Sequence, residues 1–96
     1  MTYFIGIDIA KFKHVCFIMN HNGEIIRDSF TFTNDKAGFI DFYSVIKQLD
    51  SNQDKRIGLE ATGHYGMNLK VFLEDNNLSY MEINPILIKE FPKPPH

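Results

Sequence analysis

Tyr3-Phe4-Ile5-Gly6-Ile7-Asp8-Ile9, residues 3–9, is the stretch that decides the fold. It is an apolar run broken by a single acid. A run buried on both faces reads as a central strand, not as the edge of a sheet. An unpaired charge inside such a strand is costly. Asp8 is therefore the most informative residue of the chain, and its surroundings have to explain it.

Next along the chain, His14-Val15-Cys16-Phe17-Ile18-Met19 reads as a second strand. Asn20-His21-Asn22-Gly23 follows, and Asn-Gly between apolar segments is a strong hairpin signal. Residues 24–32 give a third strand, with Ile26, Phe30 and Phe32 at even spacing. Thr33-Asn34-Asp35 offers N-cap candidates for a helix over 35–49, where Phe39, Phe42, Tyr43, Ile46 and Leu49 recur at helical spacing. Gly38 is expected to weaken its first turn slightly. Residues 50–54 are a polar loop, 56–60 a short strand, 61–64 a turn and 65–75 a second helix stopped by Asn76-Asn77. Residues 78–83 form a fifth strand. Asn84-Pro85 then opens a short helix, Pro being suited to its first position, and Pro92, Pro94 and Pro95 end it.

The order is β-β-β-α-β-α-β-α. A helix between the third and fourth strands lets the fourth lie parallel to its neighbour. Right-handed crossovers then place the first strand in the middle of a mixed sheet, flanked by the second and fourth. The expected fold is α/β, a five-stranded sheet of order 3-2-1-4-5 with flanking helices, which is the ribonuclease H-like arrangement.

The composition agrees with one domain. The chain has 96 residues, 44% of them hydrophobic, with nine Phe, four Tyr and no Trp, which suggests a core built on Phe. A net charge of −2 with this apolar content excludes a disordered chain and argues against a nucleic-acid module that works by basic surface alone. A bound divalent cation can supply the missing positive charge, so nucleic acid stays open as a substrate. The lone Cys16 excludes an internal disulfide. With no signal peptide and no apolar run near about 18 residues, a soluble cytoplasmic protein off the membrane is expected.

Glu60 closes the fourth strand, just before a Gly-containing turn. If strands one and four are parallel neighbours, Asp8 and Glu60 meet at one edge, where sites in open α/β sheets lie. Two carboxylates held together repel unless a cation joins them, and oxygen-only ligation suits Mg2+ or Mn2+. Such metals clamp an in-line phosphoryl displacement. Taken singly, a strand-end Asp also suits a loop cap, and a strand-end Glu a solvated position. The Asp8 carboxylate is expected to lie desolvated in the apolar strand beside Glu60, so Asp8→Asn should stabilise the metal-free fold by roughly 0.5–2 kcal/mol.

Around this pair, Thr62 and His64 are candidates to orient a carboxylate or approach a phosphate. Thr62 equally suits a helix cap, and His64, a possible general acid or base, equally suits plain surface. Lys11 and Lys13 follow Asp8 in a turn and are candidates for backbone-phosphate contact, or simply a solvated turn. His14 and Cys16 lack a partner spacing for zinc and read as strand residues.

Four strings now point to a known family. Gly6-Ile7-Asp8-Ile9-Ala10-Lys11, Asn34-Asp35-Lys36-Ala37-Gly38-Phe39, Glu60-Ala61-Thr62-Gly63-His64-Tyr65 and Asn84-Pro85-Ile86-Leu87-Ile88-Lys89-Glu90-Phe91 resemble, in order and spacing, the DEDD or RuvC-like insertion-sequence transposases, a group that includes pilin-gene invertases. The Glu-Ala-Thr-Gly-His-Tyr string is specific; Gly-Ile-Asp alone is not. The resemblance implies a RuvC-like domain over 1–91, here incomplete, with a Pro-rich tail at 92–96. It implies four acidic metal ligands used in DNA strand cleavage and exchange, with Asp8 matching the first and Glu60 the second. It further implies a homo-oligomer, in some members a structured guide RNA, and a separate domain with a serine nucleophile. The third and fourth acids belong to an Asp-x-x-Asp string after the Asn-Pro segment. Here that segment is followed by Pro92-Lys93-Pro94-Pro95-His96. The chain is thus expected to be the amino-terminal part of a transposase, inactive by itself.

Two rivals stay open. One is a non-catalytic interaction or nucleic-acid-binding fragment. The other is an actin-like or sugar-kinase ATP-binding fragment, which shares an early Asp in an apolar strand. That group usually places Gly two positions after the acid; here the position is Ala10, followed by the bulky Lys11-Phe12-Lys13.

Overall fold

The computed structural model describes residues 1–60 and 64–83. Its elements are β1 (Thr2–Asp8), β2 (Lys13–Met19), β3 (Ile25–Thr33), α1 (Lys36–Lys47), β4 (Asp54–Glu60), α2 (Met67–Asp75) and β5 (Tyr80–Ile83). The five strands form one sheet of order β3-β2-β1-β4-β5. β1 pairs antiparallel with β2 and parallel with β4, and β5 is parallel to β4. The mixed sheet with β1 at its centre is the arrangement expected from the sequence. The helix expected from residue 84 and the tail at 92–96 lie outside the described residues.

Local chemistry accounts for each junction. In the β2–β3 hairpin, the Gly23 N–H donates to the Asn20 carbonyl at 3.1 Å, and Gly23 takes φ +80°. The Asn20 side chain accepts from the N–H groups of Asn22 and Glu24, both at 2.9 Å. Only a glycine enters that backbone region without strain. Of the three candidate caps for α1, Asp35 is used: its carboxylate accepts from the Gly38 N–H at 2.8 Å and from the Thr33 hydroxyl at 2.7 Å. These two bonds hold the Asp35 carboxyl below its ordinary value, the Thr33 hydroxyl contributing most. α2 ends in a Schellman motif. Asn77 is left-handed at φ 57°, and Leu78 N–H reaches back to the Leu73 carbonyl at 2.8 Å. Lys70 of α2 pairs with Glu82 of β5, and the Tyr80 hydroxyl donates to Glu74 at 2.8 Å, which ties α2 to the sheet edge.

Gly38 departs from its expected role. A Cβ there would come within 2.0 Å of the Thr33 carbonyl oxygen. The glycine lets the first turn of α1 close onto the end of β3, so it is required by a close approach and is not merely a weak helix former.

The core lies on one face of the sheet. Tyr3, Ile5, Ile7 and Ile9 of the β1 segment join Cys16 and Ile18, Phe32, Ile57 and Leu59, and meet Phe39, Phe42 and Ile46 of α1 and Leu69 and Leu73 of α2. The Phe32 and Phe42 rings touch at 4.8 Å between centroids. Alternation sends Phe4, Gly6 and Asp8 to the opposite face. In this arrangement burial pushes the Cys16 thiol up, so it stays protonated and inert.

Candidate functional site

The register fixes where the two acids stand. Gly6 pairs with Gly58 and Ile7 with Leu59 across β1 and β4. Asp8 and Glu60 are the next residues and close their strands, at the same edge. Ile7 and Leu59 are fully buried against the helices, so Asp8 and Glu60 share the other face. Parallel neighbours stand about 4.8 Å apart, within reach of one cation. Val15 pairs with Asp8 on one side and Ile83 with Glu60 on the other, so the carboxylates sit mid-row between apolar neighbours. Behind them runs the row Phe17, Gly6, Gly58, Met81. The Phe17 ring lies over Gly6, where a Cβ would come within 2.3 Å of it.

Asp8 itself is solvent-exposed and Glu60 is half-buried. The expectation of a desolvated Asp8 inside an apolar strand is therefore corrected. The residue sits at the strand's last position, where the pleat turns its side chain to water. The reason for expecting a stabilising Asp8→Asn goes with it.

The turn after Asp8 carries Lys11, Phe12 and Lys13, all exposed. Phe12 is 76% exposed, with the Lys11 ammonium 5.1 Å from its ring centroid. Sequence reasoning missed Phe12; its signal is an aromatic residue between two lysines in a turn beside an acid. His64 and Tyr65 are exposed as well, their rings in edge contact at 6.2 Å. Thr62 lies outside the described residues.

His14, which read as an ordinary strand residue, is fully buried and polar. The Ala10 N–H donates to its Nδ1 at 3.1 Å, and its Nε2 lies 3.0 Å from Asn34 Oδ1. Burial pushes its pKa down, opposed by the Asn34 hydrogen bond and the Asp8 charge. Asn34 Nδ2 donates in turn to the carbonyls of Lys11 at 3.1 Å and Tyr65 at 3.3 Å. The segments that follow the two acids are thus joined through one asparagine.

Among the described residues no group of three or more His, Cys, Asp or Glu is placed to hold a metal ion. Two carboxylates on adjacent strands nevertheless offer oxygen donors of the kind hard divalent cations take, with water completing the shell. The donor set fits one edge of such a site.

The family model of the IS110-type DEDD transposases matches residues 5–94. The chain belongs to this transposase family. Its members are transposases, which act on DNA, and the family is generally metal-dependent. No curated protein matches the chain. Among solved structures it is similar to a Bacteroides thetaiotaomicron protein described as having an actin-like ATPase fold and unknown function. That likeness has a TM-score of 0.61 at 15% identity, over 91% of this chain and 35% of the other. The chain thus spans about a third of the length of that structure. At this identity the likeness concerns the fold of the transposase domain alone. No helix among the described residues is long and apolar enough to cross a membrane.

Proposed function

We propose that this chain is the amino-terminal, RuvC-like part of an IS110-type transposase, and that Asp8 and Glu60 are the first two acids of its DNA cleavage and strand-exchange site. The observation that carries the reading is their placement: last residues of adjacent parallel strands, on one face, at the carboxyl edge. When bound, Mg2+ or Mn2+ supplies positive charge at the phosphate under attack and offsets the repulsion of the two carboxylates. Asp8 and Glu60 hold that charge at the sheet edge. Lys11 and Lys13 meet the DNA backbone beside it, and His64, with Thr62, approaches from the turn after Glu60. Phe12, between the lysines, gives the approaching strand an apolar contact. In the intact protein we place residues 1–91 in this domain and 92–96 in a Pro-rich tail. That protein acts in the cytoplasm as a homo-oligomer on DNA, with a guide RNA as a further partner.

Two ligands hold Mg2+ loosely, since the ion keeps its waters and takes few protein groups. The isolated chain is therefore expected to bind the ion weakly and to leave DNA uncut. The reading is tested by titrating Mn2+ into 15N-labelled protein. Paramagnetic broadening should begin at the amides around Asp8 and Glu60, and vanish there in Asp8→Asn/Glu60→Gln. Broadening centred elsewhere, or unchanged in the double variant, would overturn it. A non-catalytic nucleic-acid-binding fragment is the second reading, favoured by the lack of a three-ligand cluster among the described residues. It predicts salt-dependent DNA association that the double variant retains in full and that Mn2+ leaves unchanged. The ATP-binding reading has less support, because Ala10 stands where a phosphate hairpin needs glycine.

A further inference from the structure

We propose that His14 and Asn34 form a positioning clamp, which ties Ala10–Phe12, just after Asp8, to Tyr65, downstream of Glu60, and so steadies the two carboxylates that the strand register brings together before metal or DNA arrives. The inference rests on the reading of Asp8 and Glu60 as the metal-binding pair.

The hydrogen bonds admit one assignment of protons. A backbone N–H can only donate, so His14 Nδ1, which receives the Ala10 N–H at 3.1 Å, carries a lone pair. Nε2 then carries the proton of the neutral ring and donates to Asn34 Oδ1 at 3.0 Å. That fixes the amide orientation of Asn34 and turns Nδ2, with its two hydrogens, toward the carbonyls of Lys11 and Tyr65. Rotating the amide would set N–H against N–H and oxygen against two carbonyls. Both ring nitrogens and both amide heavy atoms are therefore used. The Asn34 backbone N–H adds a bond to the Phe12 carbonyl at 2.9 Å.

The placement gives this network a purpose beyond filling space. His14 is fully buried, stacked 6.5 Å from Phe39 and edge-on to Phe32 at 5.3 Å. An apolar side chain would suit that environment, and a polar one is costly there unless fully bonded. What the polar pair does and an apolar one cannot is join three chain segments by hydrogen bonds: Ala10–Phe12, Asn34 and Tyr65. Ala10 lies two residues after Asp8, and Tyr65 five after Glu60. Gly66, next to Tyr65, packs so closely on Ile9 that a Cβ there would come within 2.8 Å of its side chain. The clamp thus sits at the same sheet end as the carboxylates, on the helix-covered face behind them. His14 and Asn34 touch no reacting atom and are positioning residues.

Asn34→Asp tests this with little change of shape. It keeps an acceptor for His14 Nε2 but replaces both donors with an oxygen facing two carbonyls. Asn34→Ala, which removes the donors without adding charge, serves if Asn34→Asp does not fold. Two readouts are taken on folded protein: amide exchange, and the Mn2+ dissociation constant from paramagnetic broadening at Asp8 and Glu60. In the variant the Ala10 amide should exchange at least about tenfold faster while the β2–β3 amides keep their protection. Mn2+ binding should weaken by about tenfold, the low end of what orienting partners of metal ligands contribute. A variant that loses only melting temperature and keeps its Mn2+ affinity shows a structural histidine and overturns the proposal. Unchanged Ala10 exchange overturns the clamp itself. If the wild type shows no Mn2+ binding at Asp8 and Glu60, the site reading fails and the positioning role with it. The exchange data then still report whether the two segments are locked, so the two failures are distinguishable.

Discussion

Ile7 is fully buried against the helices, while Asp8, one residue along the same strand, is exposed on the other face. The contrast runs through the sheet. On the helix-covered face, β1, β2 and β4 present Ile5, Ile7, His14, Cys16, Ile18, Ile57 and Leu59, all at most 2% exposed. On the opposite face the same strands present Phe4, Gly6, Asp8, Val15, Phe17, Met19, Arg56, Gly58 and Glu60, and of the large side chains among them only Met19, at 2% exposed, is as buried as the core. One face is a packed core and the other carries the acids. Toward the carboxyl edge, pleat alternation separates the packed core from the candidate site by a single residue, so substitutions at Ile7 and at Asp8 should differ sharply in cost.

Removing one ring from each face should separate the two most clearly. Phe42 is fully buried and its ring lies 4.8 Å from that of Phe32. Phe42→Ala should cost about 3–5 kcal/mol, the usual loss for a buried aromatic. Phe17, half-buried on the opposite face, should cost less than about half as much when changed to Ala, since fewer contacts are lost. Urea midpoints measure both; equal losses would mean that the faces are not energetically distinct.

A second pair of substitutions adds atoms in place of removing them. Gly38→Ala should gain up to about 1 kcal/mol in helix propensity. Yet its Cβ would stand 2.0 Å from the Thr33 carbonyl oxygen, which belongs to backbone at the end of β3. A net loss of about 1–3 kcal/mol is expected. Gly6→Ala is nearly as crowded, at 2.3 Å, but from the Phe17 ring. That ring is only half-buried and can swing aside, so Gly6→Ala should cost less. Thermal melts of the two variants give the order; a stabilised Gly38→Ala would show that backbone yields as easily as side chain.

Strand order followed from a chain of local signals: the apolar run at 3–9, Asn22-Gly23, the helical spacing of Phe39, Phe42 and Ile46, and the helix between the third and fourth strands. The edge shared by Asp8 and Glu60 followed from that order. What did not follow depended on distant parts of the chain. Gly38 looked like a weak helix former because the Thr33 carbonyl that crowds it arrives with β3. Asp8 looked desolvated because an apolar run does not reveal which residue is its last paired one. His14 looked ordinary because its partner, Asn34, is twenty residues away.

The buried polar group on the packed face leads to a pH effect. Burial holds the His14 pKa below its ordinary 6.5, the Asn34 bond and the Asp8 charge opposing. The unfolded chain therefore binds more protons than the folded one once the pH falls below about 6.5. Stability should be level above that value, fall as the pH drops through it toward the folded value, and level off below. Charging His14 would also cost the acceptor for the Ala10 N–H. Melting temperatures between pH 8 and 5 should slope in the wild type and flatten over this window in His14→Gln, leaving the exposed His21 and His64 in place. Carboxylates such as Asp35, held low by the Thr33 hydroxyl, act at lower pH and do not blur it. An equal slope in both proteins would remove His14 as the cause.

The smallest expected effect is the one most telling for function. Asp8→Asn removes the charge while keeping the shape of an exposed side chain at the end of β1. Water screens its repulsion with Glu60, and the amide needs no buried partner, so the metal-free fold should change by no more than about 0.5 kcal/mol. Ile7→Ala, one residue earlier on the packed face, should cost about 2–5 kcal/mol. The two outcomes part when Mn2+ is added. An ion that binds only the folded protein raises the wild-type melting temperature by mass action. It should do so for Ile7→Ala as well, from a lower starting point, and do little for Asp8→Asn. A ligand that folding can spare and the ion cannot is what an acid held for chemistry looks like. Should Asp8→Asn lose more than about 1 kcal/mol without metal, well beyond an ordinary surface change, the carboxylate serves the fold. The separation of the two faces would then fail at the very residue that suggested it.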